Sequence, residues 1–142
     1  MAKKFKFPLE QVLKVRSLRR KQCERELVVI RNQIHKTEQE IQYAKDQIRN
    51  SFSGPTAMTQ LWSHAAHTYR KDQEERIQDL YQTRKKLEKS EQETKAQLIQ
   101  KMRDEKVMLQ LKDKQKEAHQ REVESQIQKE MEELDILKRG RK

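Results

Sequence analysis

Two histidines, His64 and His67, come nearest to a metal site, because residues three apart share one face of a helix. Two imidazoles without a third ligand at suitable spacing hold a metal poorly, and solvated surface positions account for the pair. His35 and His119 stand alone. Cys23 is the only cysteine. It can form no internal disulfide, which fits a reducing compartment, and its place near an apolar stripe suits a small packed residue better than a nucleophile. Gly54 and Gly140 are the only glycines, so neither a Walker A loop nor a dinucleotide loop can be built. Carboxylates are plentiful, yet they fall on solvent-facing helical positions with no concavity to desolvate them. The expectation is a protein that is not an enzyme, with no cofactor, no metal and no small-molecule substrate.

The remaining chemistry is charge. The chain carries a net charge of +10, placed unevenly. Residues 1–22 hold eight basic side chains against one acidic, Glu10, and the last five residues add Lys138, Arg139, Arg141 and Lys142. The middle mixes both signs. Basic ends point to acidic partners: a nucleic acid, a membrane surface or an acidic protein cavity.

The element that positions these groups is a stripe of Leu27, Ile30, Ile34, Thr37, Ile41, Ala44 and Ile48. Its 3-4 spacing is unbroken, and Thr37 is its one polar member. So narrow a stripe is the seam of a coiled coil rather than the wide face of a helix lying on a globular core. Composition agrees, with 32% hydrophobic and 39% charged residues in a chain of 142. That is too little apolar surface for a globule, and disorder would not space the isoleucines. The expectation is all-α and elongated: an antiparallel two-helix coiled-coil hairpin with unequal helices, forming one unit over residues 1–142. No stretch reaches the roughly 20 apolar residues of a membrane span, and no signal peptide is apparent, so a cytoplasmic protein is expected.

Pro8 suits the first turn of a helix running from about 9 to 51. Extending the register backwards puts Cys23, Arg20, Arg16, Leu13 and Leu9 on the seam. Either that end frays, or the arginines face carboxylates, or their stems lie along the partner helix with solvated heads. Gly54 and Pro55 place a turn at 52–56, with Thr56 as N-cap of a second helix over about 57–138. Its seam reads Ile77, Leu80, Arg84, Leu87, Glu91, Thr94 and Leu98. Folding at Gly54 pairs residues whose numbers sum to about 107. Ile30 then faces Ile77, Leu27 faces Leu80, Leu13 faces Thr94 and Leu9 faces Leu98. Near the turn, Ile48 and Phe52 meet Met58, Leu61 and Trp62. Residues 99–138 overhang without a partner in the chain. Val123, Ile127, Met131 and Leu134 form a stripe there, out of phase with Leu98, and such a stripe needs a partner from elsewhere.

The opening run Phe5, Lys6, Phe7, Pro8 and Leu9, followed by Val12, Leu13, Arg16 and the segment Glu24 to Leu27, resembles the FliJ family of flagellar type III export proteins. So do the run from Lys112 to Glu124 and its continuation through Lys129 to Asp135 and Arg139. The resemblance covers essentially the whole chain. It implies a small component of the export apparatus, similar to the central stalk of rotary ATPases. The implied partners are the hexameric export ATPase, the export-gate membrane protein and export chaperones. The implied location is cytoplasmic and peripheral to the inner membrane. By the same analogy Leu9, Leu13, Arg16, Arg19 and Arg20 at one end, and Leu134, Leu137, Lys138 and Arg139 at the other, meet the ATPase. Three other readings share this physics: a virulence-system stalk protein, a basic scaffold and a nucleic-acid-binding coiled coil. The last conflicts with a hairpin, because a basic region forks from a parallel dimer.

Overall fold

The computed structural model describes residues 4–52 and 60–140. It contains two helices, α1 (Glu10–Ser51) and α2 (Gln60–Gly140), and no strand among the described residues. The chain is an all-α hairpin of unequal helices. Pro8 precedes α1, and the Glu10 N–H donates to the Phe7 carbonyl at 3.2 Å, closing the entry turn. Glu10 in the first turn of α1 and Lys138 and Arg139 in the last turn of α2 complement the helix dipoles. The expected turn at 52–56, with Gly54, Pro55 and Thr56, falls almost wholly on residues outside those described, as does Met58.

The molecule divides into two compact units. One is Gln22–Leu98; the other joins Met1–Lys21 to Ile99–Lys142. Within Gln22–Leu98 the two helices pair antiparallel. Ile41, Ala44 and Ile77 form its core, with Ile48, Leu80 and Tyr81 packed against them. Leu27, Thr37 and Cys23 are also buried, and Ile30 and Ile34 are half-buried, so every position of the expected stripe faces inward. The Cys23 thiol donates to the Thr94 carbonyl at 3.6 Å, and Arg31 meets Glu91 at 3.4 Å. Thr37 survives in the seam because its hydroxyl donates to the Gln33 carbonyl of its own helix at 2.8 Å.

α1 ends against an arginine of α2. Arg70 donates to the Ser51 hydroxyl and carbonyl, at 2.8 and 3.1 Å, and its guanidinium lies 3.8 Å from the centre of the Phe52 ring. An otherwise unpaired helix-terminal carbonyl thus receives a charged donor.

In the unit built from both chain ends, Phe7, Leu13 and Met108 form the core, with Phe5 and Leu111 packed on it. Arg16 donates to the Asp104 carbonyl at 3.0 Å, Arg20 pairs with Glu105, and Glu10 pairs with Lys112 at 3.0 Å. Phe5 lies against the His119 ring with centroids 5.7 Å apart. Segments 4–21 and 99–119 thus run antiparallel.

These contacts correct the expected register. Partner numbers sum to about 120, as in Arg16 with Asp104 and Glu10 with Lys112, rather than about 107. Leu13 packs with Met108 and not Thr94, and Ile77 packs with Ile41 and Ala44 and not Ile30. The cause is the connection. Ser51 meets Arg70, 19 residues later, a span too long for a tight turn centred on Gly54. Leu61 is exposed, and Phe52 is taken up by Arg70.

The overhang shrinks accordingly. Seam positions continue past Leu98 through Lys101, Glu105, Met108, Lys112, Gln115 and His119, all buried or half-buried. Polar residues occupy most of these positions, which hid the continuity from a reading of apolar spacing. Only residues 120–140 remain beyond the reach of α1, and of these Val123 alone is even half-buried.

Candidate partner-binding surfaces

The residues expected to meet a partner separate into two kinds. Leu13 is buried in the core of its unit. Arg16 and Arg20 are half-buried and engaged with Asp104 and Glu105 of the same chain. A stem of Arg lying in the seam with its head on a carboxylate or carbonyl explains why this end does not fray. Leu9, by contrast, leaves the seam and is 40% exposed, because α1 begins only at Glu10 and Phe7 takes the inward position instead. Arg19 is exposed, as are Lys138 and Arg139. Leu134 and Leu137 are 58% and 63% exposed.

Both groups belong to one unit, but they are not brought together. Glu10 lies beside Lys112, and Leu134 stands 22 residues further along α2, roughly 33 Å at the helical rise. The electrostatics of the second group also differ from the expectation of a basic end. Glu122, Glu124, Glu130, Glu132, Glu133 and Asp135 stand against Arg121 and Lys129 before the basic run begins at Lys138. Acidic character dominates the exposed part of α2 up to Asp135, and basic character dominates only at its tip.

Two surfaces went unseen in the sequence. The first, in the unit of both chain ends, is an open groove lined by Ile99, Met102 and Leu109 with Lys106, Arg20 and Glu105. Its apolar members fall three and seven residues apart, a heptad-compatible signal masked by the assumption that this segment had no partner in the chain. The second, in the unit Gln22–Leu98, is a groove where Trp62, Ala65, Ala66 and Tyr69 of α2 meet Gln47, Asn50 and Ser51 of α1. The Tyr69 hydroxyl donates to the Gln47 side-chain carbonyl at 3.3 Å. Tyr43 and Phe52 are exposed in the same unit, so a chain with few aromatics spends several of them on its surface here.

His64 and His67 are exposed on α2, and no group of three or more His, Cys, Asp or Glu side chains suited to a metal occurs among the described residues. None of the described helices is long and apolar enough to cross a membrane.

The family model for the flagellar FliJ protein matches residues 5–142. No curated protein and no solved structure matches the chain. With essentially its whole length covered, the chain belongs to the FliJ family. It is therefore a coiled-coil component related to flagellar protein export, in a family that is not enzymatic.

Proposed function

We propose that this FliJ-family chain acts as a central-stalk-like element of the flagellar type III export apparatus. It engages the hexameric export ATPase and links it to the export gate and to substrate chaperones, from a cytoplasmic position peripheral to the inner membrane. The observation that carries this reading is the bare end of α2, where Leu134, Leu137, Lys138 and Arg139 are all solvent-exposed. An apolar pair beside a basic tip fits a ring lumen with apolar walls and carboxylates at its mouth.

Leu9 and Arg19 supply the accessible contacts at the other chain end. Leu13, Arg16 and Arg20 serve the same role indirectly, by holding the first turns of α1 against α2. On this reading residues 1–142 work as a single hairpin. The acidic stretch from Glu122 to Asp135 gives a second surface, of opposite sign, for a basic face of the gate or of a chaperone.

The test is ATP hydrolysis by the cognate export ATPase with and without this protein, together with sedimentation of the ATPase. Stimulated hydrolysis with ring assembly supports the stalk reading. No stimulation, or stimulation that survives removal of residues 131–142, overturns it.

A further inference from the structure

α2 carries two stripes, and only one of them is covered. The first, from Leu98 to His119, faces α1 and the residues that lead into it. The second begins at Ile99 and repeats at strict 3-4 spacing as far as Leu137. Its apolar members are Ile99, Met102 and Leu109 at one end and Val123, Ile127, Leu134 and Leu137 at the other. Polar residues fill the positions between: Lys106, Asp113, Lys116, Gln120 and Glu130. All but the half-buried Val123 are exposed, and Ile99, Met102 and Leu109 line the open groove already described. Two heptad-spaced apolar patches on one helix face, both left to water, mark a helix-docking face.

The order of residues along the stripe says what covers it. Read backwards, its two ends match each other, while the four central layers set Asp113 against Val123 and Lys116 against Gln120. Two copies of α2 laid antiparallel so that Ile99 meets Leu137 of the second copy also bring Met102 to Leu134 and Leu109 to Ile127. In the same register Lys106 meets Glu130, its opposite charge. The two-fold axis repeats each of these contacts, giving six apolar layers and two ion pairs from one alignment. Flanking charges add little: Glu105 comes beside Glu133 of the second copy but already carries Arg20, and Glu117 faces its own copy at the axis. The segment 4–21 that covers residues 99–119 sits on the other stripe and does not block the approach. Toward each end of the pair three helices then meet, α2 from both copies and α1 from one. Residues 120–140, which lack a neighbour among the described residues, gain one.

We infer that this protein self-associates as an antiparallel, isologous dimer through the Ile99–Leu137 face of α2. The dimer covers Leu134 and Leu137, so it competes with the ATPase contact proposed above. That consequence rests on the proposed function; the self-association does not.

Sedimentation equilibrium of the full chain over a wide concentration range tests it, with Lys106→Glu, Glu130→Lys and an equimolar mixture of the two. The expected result is a wild-type dimer that dissociates on dilution, loss of the dimer in each variant alone, and recovery of a heterodimer on mixing. Both substitutions are at exposed positions, and unchanged helicity by circular dichroism excludes unfolding as the cause. Dimers that persist in both single variants overturn the register and with it the inference. A chain that stays monomeric throughout also overturns it, and leaves the stripe to a helix of a different protein.

Discussion

Arg70 closes the end of α1 by donating to both the hydroxyl and the carbonyl of Ser51 while its guanidinium covers the Phe52 ring. One side chain thus satisfies a helix-terminal carbonyl, opposes the negative end of the α1 dipole and shields an exposed aromatic. Arg70→Ala is expected to cost about 1–2 kcal/mol, lowering the thermal midpoint by about 3–6 °C. Arg70→Lys keeps the charge without the planar fork and should recover less than half of the loss. Thermal melts followed by circular dichroism at matched ionic strength read both. A midpoint unmoved by Arg70→Ala would show the cap to be ornamental.

The Arg20–Glu105 pair is only partly shielded, with side chains 23% and 15% exposed. Glu105→Gln leaves the guanidinium facing a neutral group and should destabilise by about 1–3 kcal/mol, discounted for the remaining solvent access. Replacing both by leucine removes both desolvation costs in a seam position and should be close to neutral. Urea denaturation of the two singles and the double gives the coupling directly. Strict additivity of the singles would mean the pair does not interact.

Thr37 sits buried in an otherwise apolar stretch of seam, bonded only to its own helix. Thr37→Ile buries more apolar surface, suits a coiled-coil knob and loses a bond that mainly competes with the helix. A gain of about 0.5–1.5 kcal/mol is expected in equilibrium denaturation. A loss would reveal that the hole facing Thr37 has no room for the added methyl groups.

Leu13 and Leu134 separate packing from partner contact. Leu13→Ala opens the Phe7–Leu13–Met108 core and should cost about 2–4 kcal/mol. Hydrogen exchange is expected to rise first in residues 4–21 and 99–119. Leu134→Ala with Leu137→Ala alters positions exposed in the single chain and, at dilutions where the inferred dimer has dissociated, should leave the melt within about 0.5 kcal/mol of wild type. ATPase stimulation should nonetheless fall several-fold in that double variant. Equal stimulation by the double variant and the wild type would place the ATPase contact elsewhere.

Much of the inward face of α1 was legible in the residues themselves. The seam from Leu13 through Arg16, Arg20 and Cys23 to Ile48 follows directly from 3-4 spacing, arginines included. The register did not follow, for a physical reason. Sliding α2 by about two heptads leaves every 3-4 position opposite another, so Ile77 and Leu80 fit several partners equally well. What selects the observed alignment is a set of polar and aromatic contacts: Arg70 on Ser51, Glu10 on Lys112, Phe5 and Phe7 on α2. No apolar count ranks these. The partner surfaces were legible in part: the exposure of Leu134 and Leu137 was foreseeable from the unequal helices, whereas the burial of Leu13 and the engagement of Arg16 and Arg20 depend on that same register.

Phe7 and Met108 share a core although most of the chain lies between them. At roughly 5–20 residues per second, a ribosome adds Met108 about 5–20 s after Phe7. For that interval the first turns of α1 emerge with their packing surface bare, and no earlier part of the chain can cover it. The protein is therefore at its most vulnerable to proteases and to capture by holdases during synthesis. Slower translation of the second half would lengthen that exposure.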